Sequence, residues 1–178
     1  MKVMEHYSFN VVDFGFDTTV GIQINEERKR TGHGNKNAYK KGIIKALFKS
    51  RNNKCTVTAD GQVINPDGRL LLSTIANGEY VGGSFHCAPR AKIDDGLMEV
   101  CLVKPISIFR FFKILFPYAN GEHLDRNDMR DVIIYKQAKK VEVSAPEGFA
   151  YSLDGEIIYN NQFTIEILPR TLQFACPK

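Results

Sequence analysis

The sequence has no tryptophan, only four histidines and only four cysteines. The cysteines are Cys55, Cys87, Cys101 and Cys176. They form no C-x-x-C pair, and no histidine stands at a zinc-finger spacing from them, so the sequence argues against a zinc site. We expect four reduced and mostly buried thiols, as is usual for a cytoplasmic protein.

Long hydrophobic runs are absent as well. The longest, Ile106 to Phe116, is interrupted by Arg110 and Lys113, whereas a membrane-spanning helix needs about 20 apolar residues. The first ten residues, MKVMEHYSFN, lack the apolar segment of a secretory signal. These absences predict a cytoplasmic protein, and they leave open peripheral contact at the inner face of the membrane.

Strong charge is also missing, because the formal net charge of the 178 residues is only +4. Basic residues nevertheless concentrate in one region: Arg28, Lys29, Arg30, Lys36, Lys40, Lys41, Lys45, Lys49, Arg51 and Lys54. Aromatic residues are not interleaved there as a nucleic-acid stacking platform requires, so we expect no nucleic-acid partner. The run is equally typical of a solvated helix face and of a patch that meets an anionic membrane surface.

What is present is a chain of short strands with two or three helices. The spacing predicts helices from Thr18 or Thr19 to Arg30, from Ala38 to Lys49 and from Pro105 to Phe116. Strands are predicted at 7–12, 54–59, 62–64, 70–76, 98–104, 132–135, 141–144, 149–153, 163–167 and 171–176. The turn spacing favours an α+β, mainly β fold, built as an antiparallel β-sandwich rather than a βαβ sheet.

The most polar loop in this pattern lies between two apolar strands. It belongs to the stretch Asn77 to Val100, NGEYVGGSFHCAPRAKIDDGLMEV, in which Asp94 and Asp95 precede Gly96. Loops between buried strands are common places for sites. From these residues alone, the loop could hold a metal, a phosphate or nothing.

Two other acidic turns accompany this loop. The segment Asp13-Phe14-Gly15-Phe16-Asp17 is a glycine-centred turn flanked by carboxylates, and Leu153-Asp154-Gly155-Glu156 stands where a hairpin turn is expected. A carboxylate in the second of these turns can accept a proton from a substrate hydroxyl. The same residues are also ordinary turn formers, and the sequence leaves both interpretations open.

The acidic turns and the polar loop belong to a series of five short motifs, whose order along the chain is more specific than any one motif. They are Asn10-x-x-x-x-Gly15-Phe16-Asp17, Ala76-Asn77-Gly78, Gly82-Gly83, Ala88-Pro89-x-Ala91-x-x-Asp94-Asp95-Gly96-Leu97 and Leu153-Asp154-Gly155-Glu156. The series resembles the C-terminal domain of the diacylglycerol kinase and sphingoid-base kinase family, in its bacterial lipid-kinase branch. The resemblance covers nearly the whole chain, from about Tyr7 to Cys176.

The resemblance implies the second domain of the NAD kinase/diacylglycerol kinase-like fold. It also implies an ATP- and Mg²⁺-dependent kinase that transfers the γ-phosphate of ATP to a lipid hydroxyl such as that of diacylglycerol. The family's nucleotide-binding motif, G-G-D-G-T/S, does not occur in the 178 residues. We therefore expect residues 1–178 to be the C-terminal domain alone, inactive without an N-terminal nucleotide-binding domain as its partner.

The resemblance also implies roles for the acidic residues. Glu156 would accept the proton of the lipid hydroxyl, with Asp154 orienting the acceptor or binding nucleotide. A structural Mg²⁺ would be held by the carboxylate of Asp95 and by the main-chain carbonyls of Lys92 and Leu97. The alternative for Asp95 is a surface carboxylate in a β-turn.

Five further positions are expected to line a cleft that faces the nucleotide-binding domain. Asp94 would join a hydrogen-bond network there, and Asn77, Gly78, Asn10 and Asp17 would lie along it. Each of the last four is equally typical of a turn or a helix cap.

Two rival functions remain open at this point. One is a non-enzymatic β-sandwich that binds a lipid or a protein partner. The other is a domain of a related NAD kinase-like protein, against which the D-D-G-L and D-G-E motifs argue. The phenylalanines of the third predicted helix are interpreted as core residues rather than as a membrane contact: Phe109, Phe111, Phe112 and Phe116.

Overall fold

A computed structural model describes residues 1–31, 46, 50–82 and 84–172. Among these residues the helices are α1 (Phe16–Thr31) and α2 (Ile108–Ala119). The strands are β1 (Lys2–Val3), β2 (His6–Tyr7), β3 (Val11–Gly15), β4 (Asn53–Lys54), β5 (Thr56–Ala59), β6 (Gln62–Val63), β7 (Arg69–Leu70), β8 (Leu72–Ala76), β9 (Met98–Val103), β10 (Ile133–Ala138), β11 (Lys140–Ser144), β12 (Ala150–Leu153), β13 (Glu156–Tyr159) and β14 (Gln162–Glu166). Short 3₁₀ turns follow α2 at Glu122–Leu124 and Asn127–Met129.

The strands form two large sheets. Sheet I has the order β2-β1-β14-β11-β5-β6, and sheet II has the order β10-β9-β8-β3-β12-β13. Strands β4 and β7 make a separate pair. Every pairing in the described part of the chain is antiparallel. The predicted antiparallel sandwich is therefore confirmed.

A sandwich core lies between the two sheets because side chains alternate along each strand. In sheet II, Phe14 and Tyr151 face this core. They meet Phe163 of sheet I, whose ring lies 5.8 Å from that of Phe14 and 4.1 Å from that of Tyr151. One aromatic side chain of sheet I thus joins two neighbouring strands of sheet II.

The opposite face of sheet II carries a second core, which the helices cover. Val11 and Cys101 point to this side, where they share a cluster with Phe16 of α1 and with Phe111 of α2. The rings of Phe16 and Phe111 lie 5.0 Å apart. The fold is therefore a three-layer arrangement of sheet I, sheet II and helices.

Helix α1 begins at Phe16, two or three residues earlier than the sequence pattern predicts. Gly15 adopts φ +97°, and the amide of Phe16 then donates to the carbonyl of Leu71 at 2.9 Å. The hydroxyls of Thr18 and Thr19 donate back to carbonyls of the preceding turn, each at 3.0 Å. They lie inside the helix and do not cap it.

Helix α2 differs from its prediction at both ends. Ser107 caps it by accepting the amide of Arg110 at 3.3 Å, and the helix continues through Pro117 to Ala119. Because Pro117 stands in the last turn, it removes one helical hydrogen bond at an end that already lacks several.

The core interpretation of the helix phenylalanines holds for Phe111 and is wrong for the other three. Phe111 is buried, whereas Phe109, Phe112 and Phe116 are 90%, 54% and 73% exposed. The helix has one buried face, and these three side chains lie away from it.

Several smaller predictions can also be compared with the structure. Asp60 and Gly61 adopt φ +47° and +80°, which confirms the predicted type I′ hairpin turn. Strand β13 was not predicted, and the predicted first strand is divided between β2 and β3. Thr171 and Leu172 are not in a strand, and residues 173–178 lie outside the described residues, as does most of the predicted helix 38–49.

The thiol prediction is confirmed for the described cysteines. Cys55, Cys87 and Cys101 are free and buried, and Cys176 lies outside the described residues. Burial raises the pKa of each of these three thiols to about 12, so they stay protonated at neutral pH.

Candidate functional site

The turn between β12 and β13 organises one end of sheet II. Asp154 and Gly155 adopt φ +48° and +99°, which reverses the chain tightly. The Asp154 carboxylate accepts three backbone amides, from Phe9 at 2.7 Å, Asn10 at 3.1 Å and Val11 at 2.8 Å. Both carboxylate oxygens are therefore engaged in holding the segment that leads into β3.

That segment in turn fixes the loop after β8. The amide of Asn77 donates to the carbonyl of Asn10 at 2.8 Å, and the Asn10 side chain donates to the carbonyl of Tyr80 at 2.8 Å. A Cβ atom at Gly78 would lie 2.5 Å from Oδ1 of Asn10, so a larger residue at this position would displace the Asn10 side chain. The predicted residues Asn10, Asn77, Gly78 and Asp154 thus form one connected group.

A groove of about 820 Å³ adjoins this group. Asn77 and Asp94 line it together with the apolar side chains of Phe9 and Ile93. Phe9 and Ile93 are 60% and 68% exposed. The groove therefore combines apolar side chains with polar ones, among them an amide, a carboxylate and the guanidinium of Arg170, a combination that suits an amphipathic ligand.

Glu156 stands beside the organising turn, as the first residue of β13. It pairs with Leu153 of β12 and is exposed to solvent. Within the described part of the chain, no hydrogen-bond partner is found for the carboxylates of Glu156 and Asp94. Unlike Asp154, these two carboxylates are available to accept a proton or to bind a cation.

The predicted metal loop follows Asp94. Asp95 is exposed, and one of its oxygens accepts the amide of Leu97 at 2.9 Å across Gly96, whose φ is +73°. One carboxylate with the carbonyls of Lys92 and Leu97 is an all-oxygen donor set of the kind that Mg²⁺ prefers, with waters completing the shell. The described residues contain no cluster of three or more His, Cys, Asp or Glu that could hold a metal, so the donor set here would be mainly main-chain oxygen and water.

Asp17 is separated from the other predicted cleft residues. It lies in the first turn of α1, which follows the C-terminal end of β3, whereas Asn10 precedes the N-terminal end of that strand. The Asp17 side chain is exposed to solvent.

Asp13 lies between these two regions, on β3, and the sequence did not single it out as a site residue. Its carboxyl is buried against Thr74 on the helix side of sheet II. Burial raises the pKa of Asp13 well above its ordinary value, and the charges of Asp17 and Asp154 raise it further. A lone aspartate in the strand sequence VVDFG was the available signal.

A second buried carboxylate was also missed, at Glu99 in β9. It accepts a hydrogen bond from the hydroxyl of Tyr135 and another from Nε2 of Gln137 at 2.8 Å. The guanidinium of Arg90 lies 5.5 Å from the centre of the Tyr135 ring. Glu99 is the only charge in the strand sequence MEVCLV, which could have marked it.

No helix among the described residues is long and apolar enough to cross a membrane.

Comparison with known proteins gives relatives along the whole chain. A protein of Shewanella frigidimarina (strain NCIMB 400) named "Probable lipid kinase YegS-like" is 29% identical over 179 residues, covering 99% of this chain and 54% of the relative. A protein of the same name from Yersinia pestis (strain Pestoides F) is 28% identical over 173 residues, covering 97% of this chain and 54% of its own length. The chain thus spans about half the length of these curated relatives.

Solved structures show the same fold. A crystal structure of a diacylglycerol kinase from Bacillus anthracis str. Sterne superposes with a TM-score of 0.62 at 24% identity, covering 94% of this chain and 52% of that one. The family model described as "YegS C-terminal NAD kinase beta sandwich-like domain" matches residues 10–176. Because that match takes in all five motifs, the chain belongs to the family of YegS C-terminal domains, as the resemblance to bacterial lipid kinases predicts.

Proposed function

We propose that this chain is the lipid-side part of an ATP- and Mg²⁺-dependent lipid kinase that phosphorylates a lipid hydroxyl such as that of diacylglycerol. The observation that carries the proposal is the group at one end of sheet II. There Asp154 fixes the backbone of Asn10 and so of Asn77, while Asp94 and Glu156 are exposed and accept no hydrogen bond from the residues that the structure describes. The names of the relatives support the class of reaction.

In the proposed reaction, Glu156 accepts the proton of the lipid hydroxyl. The hydroxyl oxygen attacks the γ-phosphorus of ATP, the bond to the bridging oxygen breaks, and ADP leaves. Such proton acceptance by a positioned carboxylate contributes about 10²–10⁴-fold to a rate. Asp154 acts as a positioning residue, because its oxygens are occupied by the amides of residues 9–11.

The metal proposal concerns the shape of the Asp94–Leu97 loop. Asp95, Lys92 and Leu97 would hold Mg²⁺ through oxygen atoms. The bound ion would supply positive charge that offsets the negative charge of the exposed carboxylates in the loop. Asp94 would then be held facing the groove, toward the reacting groups.

The remaining partner in the proposal is a nucleotide-binding domain. The 178 residues contain no G-G-D-G-T/S motif, and transfer from ATP requires groups that bind the triphosphate. We propose that this domain docks over the end of sheet II and that the reaction takes place in the cytoplasm, where ATP is available.

A chimera provides the test. In it, this chain replaces the matching part of the Shewanella relative, and transfer from labelled ATP to diacylglycerol in mixed micelles is measured. Glu156→Gln is expected to lower kcat by at least about 100-fold, whereas Glu147→Gln, in an exposed turn, is expected to retain it. Asp154→Ala is expected to lower both turnover and the urea midpoint, because three amides lose their acceptor.

The outcomes separate the alternatives. Full activity in Glu156→Gln would exclude Glu156 as the proton acceptor. A folded chimera that binds ATP but phosphorylates no lipid, while the isolated chain binds diacylglycerol, would favour a non-enzymatic lipid-binding domain. The isolated chain is expected to show no turnover with ATP, Mg²⁺ and diacylglycerol.

A further inference from the structure

Three exposed phenylalanines form a stripe along the outer side of α2. Phe109, Phe112 and Phe116 are spaced i, i+3 and i+7, which confines them to an arc of about 60° on the helix. Their side chains are 90%, 54% and 73% exposed. This set, the Phe stripe, is a continuous apolar ridge that follows the helix axis.

The helix cannot turn to hide the Phe stripe. Its opposite face is anchored in the helix-side core by Phe111, Ile114 and Tyr118, all of which are buried. The ring of Phe111 lies 5.0 Å from that of Phe16, and the Tyr118 hydroxyl is 3.2 Å from the hydroxyl of Thr74. Rotation would break these contacts, so the exposure is built into the fold.

The size of the Phe stripe decides what can cover it. Three rings at these exposures present on the order of 400 Å², taking roughly 200 Å² for each ring. A stable interface with a second copy needs about 800 Å² on each partner. A bilayer has no such requirement, because an apolar helix face in the interfacial region is surrounded by acyl chains at a depth of about 5–10 Å.

The charges beside the Phe stripe are nearly balanced. Arg110 donates to Asp131 at 2.5 Å, and Nζ of Lys113 lies 3.8 Å from a carboxylate oxygen of Asp128. Among the described residues beside the Phe stripe, these paired charges leave no excess of one sign to attract an acidic or basic protein partner. A lipid surface fits it better, with the overall charge of +4 favouring some anionic lipid.

The Phe stripe is also connected to the candidate site. The carbonyl of Ala119, at the end of α2, accepts the amide of His86 at 2.9 Å. The His86 ring stacks on Tyr80 at 4.3 Å, and the carbonyl of Tyr80 accepts the side-chain amide of Asn10. A helix held against a membrane would therefore hold this end of sheet II near the lipid.

We infer that the Phe stripe of α2 inserts into the interfacial region of a phospholipid bilayer and docks the chain on the membrane. The choice of a bilayer rests on the proposed lipid kinase function, whose acceptor is dissolved in the membrane. Vesicle binding needs neither ATP nor turnover, so this inference and the proposed function can fail independently.

The absence of tryptophan from the sequence permits a direct probe. Phe112→Trp in the 178-residue chain places a single indole in the Phe stripe, and Tyr159→Trp places one on β13 as a control, at a position that is 65% exposed. With vesicles of phosphatidylcholine and phosphatidylglycerol, the emission of Phe112→Trp is expected to shift to the blue and to be quenched by brominated acyl chains. The control is expected to do neither.

Co-sedimentation with the same vesicles tests the rings themselves. The triple variant Phe109→Ser/Phe112→Ser/Phe116→Ser is expected to lose at least about tenfold in the ratio of bound to free protein. The double variant Val63→Ser/Tyr159→Ser, at other exposed positions, is expected to bind as the parent does. Equal binding by parent and triple variant, or no spectral shift in Phe112→Trp, would overturn the inference.

Sedimentation velocity without lipid tests the alternative that a second copy of the chain covers the Phe stripe. The parent is expected to be monomeric at the concentrations used for vesicle binding. A dimer that the triple variant abolishes, with no binding of the parent to vesicles, would assign the Phe stripe to a second copy and overturn the bilayer inference.

Discussion

At the scale of single residues, the three acidic positions near β3 differ because their surroundings differ. Asp154 has both oxygens filled by backbone amides, Asp13 is buried, and Glu156 is exposed. A carboxylate whose two oxygens accept hydrogen bonds from backbone amides can hold that backbone in place, but it is poorly placed to accept a proton from a substrate. These environments support positioning for Asp154 and proton acceptance for Glu156.

The raised pKa of Asp13 leads to a prediction about pH. In the unfolded chain this carboxyl titrates near its ordinary value of 3.8, whereas burial and then the charge of Asp17 raise its pKa well above that in the folded protein. Between the two values the folded protein binds the proton more strongly, so the free energy of unfolding falls as the pH rises. We expect Asp13→Asn, which cannot ionise, to be more stable than the parent at pH 7, with the difference vanishing below about pH 4.

Urea unfolding at a series of pH values measures this effect. The control Asp67→Asn removes an exposed carboxylate from the turn before β7, and its midpoint at pH 7 is expected to match that of the parent. A stability difference between Asp13→Asn and the parent that stays the same from pH 4 to pH 7 would contradict the assignment of a raised pKa to Asp13.

At the scale of elements, the junction between β3 and α1 depends on one glycine. A Cβ atom at Gly15 would lie 2.6 Å from the carbonyl oxygen of Leu71, which is the oxygen that accepts the amide of Phe16. Because that neighbour is backbone, it cannot swing aside. Gly15→Ala is therefore expected to lower the free energy of unfolding by more than about 2 kcal/mol, combining this clash with the cost of a positive φ.

The matched control for this prediction is Gly61→Ala. Gly61 also has a positive φ, +80°, but nothing lies within 4 Å of the position that a Cβ atom would occupy there, so only the conformational cost of about 1 kcal/mol applies. Equilibrium denaturation of both variants gives the comparison. Equal losses would show that the contact with Leu71 does not constrain the junction.

The sequence of helix α2 does not determine which of its faces is buried. Its phenylalanines occur on more than one face, and the interpretation of the sequence placed them all in a core without knowing which face is covered. In the described part of the chain only one side of the helix packs on a sheet, so Phe111 is buried and Phe109 is not. Which face is covered depends on residues far away in the chain.

At the scale of the whole molecule, the two sheets close on one aromatic cluster. Phe163 of sheet I contacts the rings of Phe14, Phe149 and Tyr151. Phe163→Ala is expected to cost about 3–5 kcal/mol in unfolding free energy, a large part of the roughly 5–15 kcal/mol typical of a domain. Thermal and urea denaturation should both show the loss.

Phe109→Ala is the control, since that ring is 90% exposed and its removal is expected to change stability by less than about 0.5 kcal/mol. If Phe163→Ala were as stable as Phe109→Ala, the two sheets would not share the core described above.

The sequence by itself determined the local structure and the family of this protein. The pair Asp60-Gly61 predicted its type I′ turn because only certain residues tolerate positive φ, and short strands between such turns predicted an antiparallel sandwich. The five ordered motifs identified the family. These features are encoded within a few residues of each other, so they can be inferred without knowing which strands pair.

Only the tertiary structure decided how those motifs act together. The bonds of Asp154 to the amides of residues 9–11 join positions 143 to 145 residues apart. Asp154 was expected beside the reacting groups, and these bonds show that it also holds the backbone of residues 9–11. Burial of Asp13 and exposure of the Phe stripe likewise follow from which surfaces sheet II and the helices cover. Periodicity predicts that a strand or helix has faces, but long-range packing alone determines which face meets protein and which meets solvent.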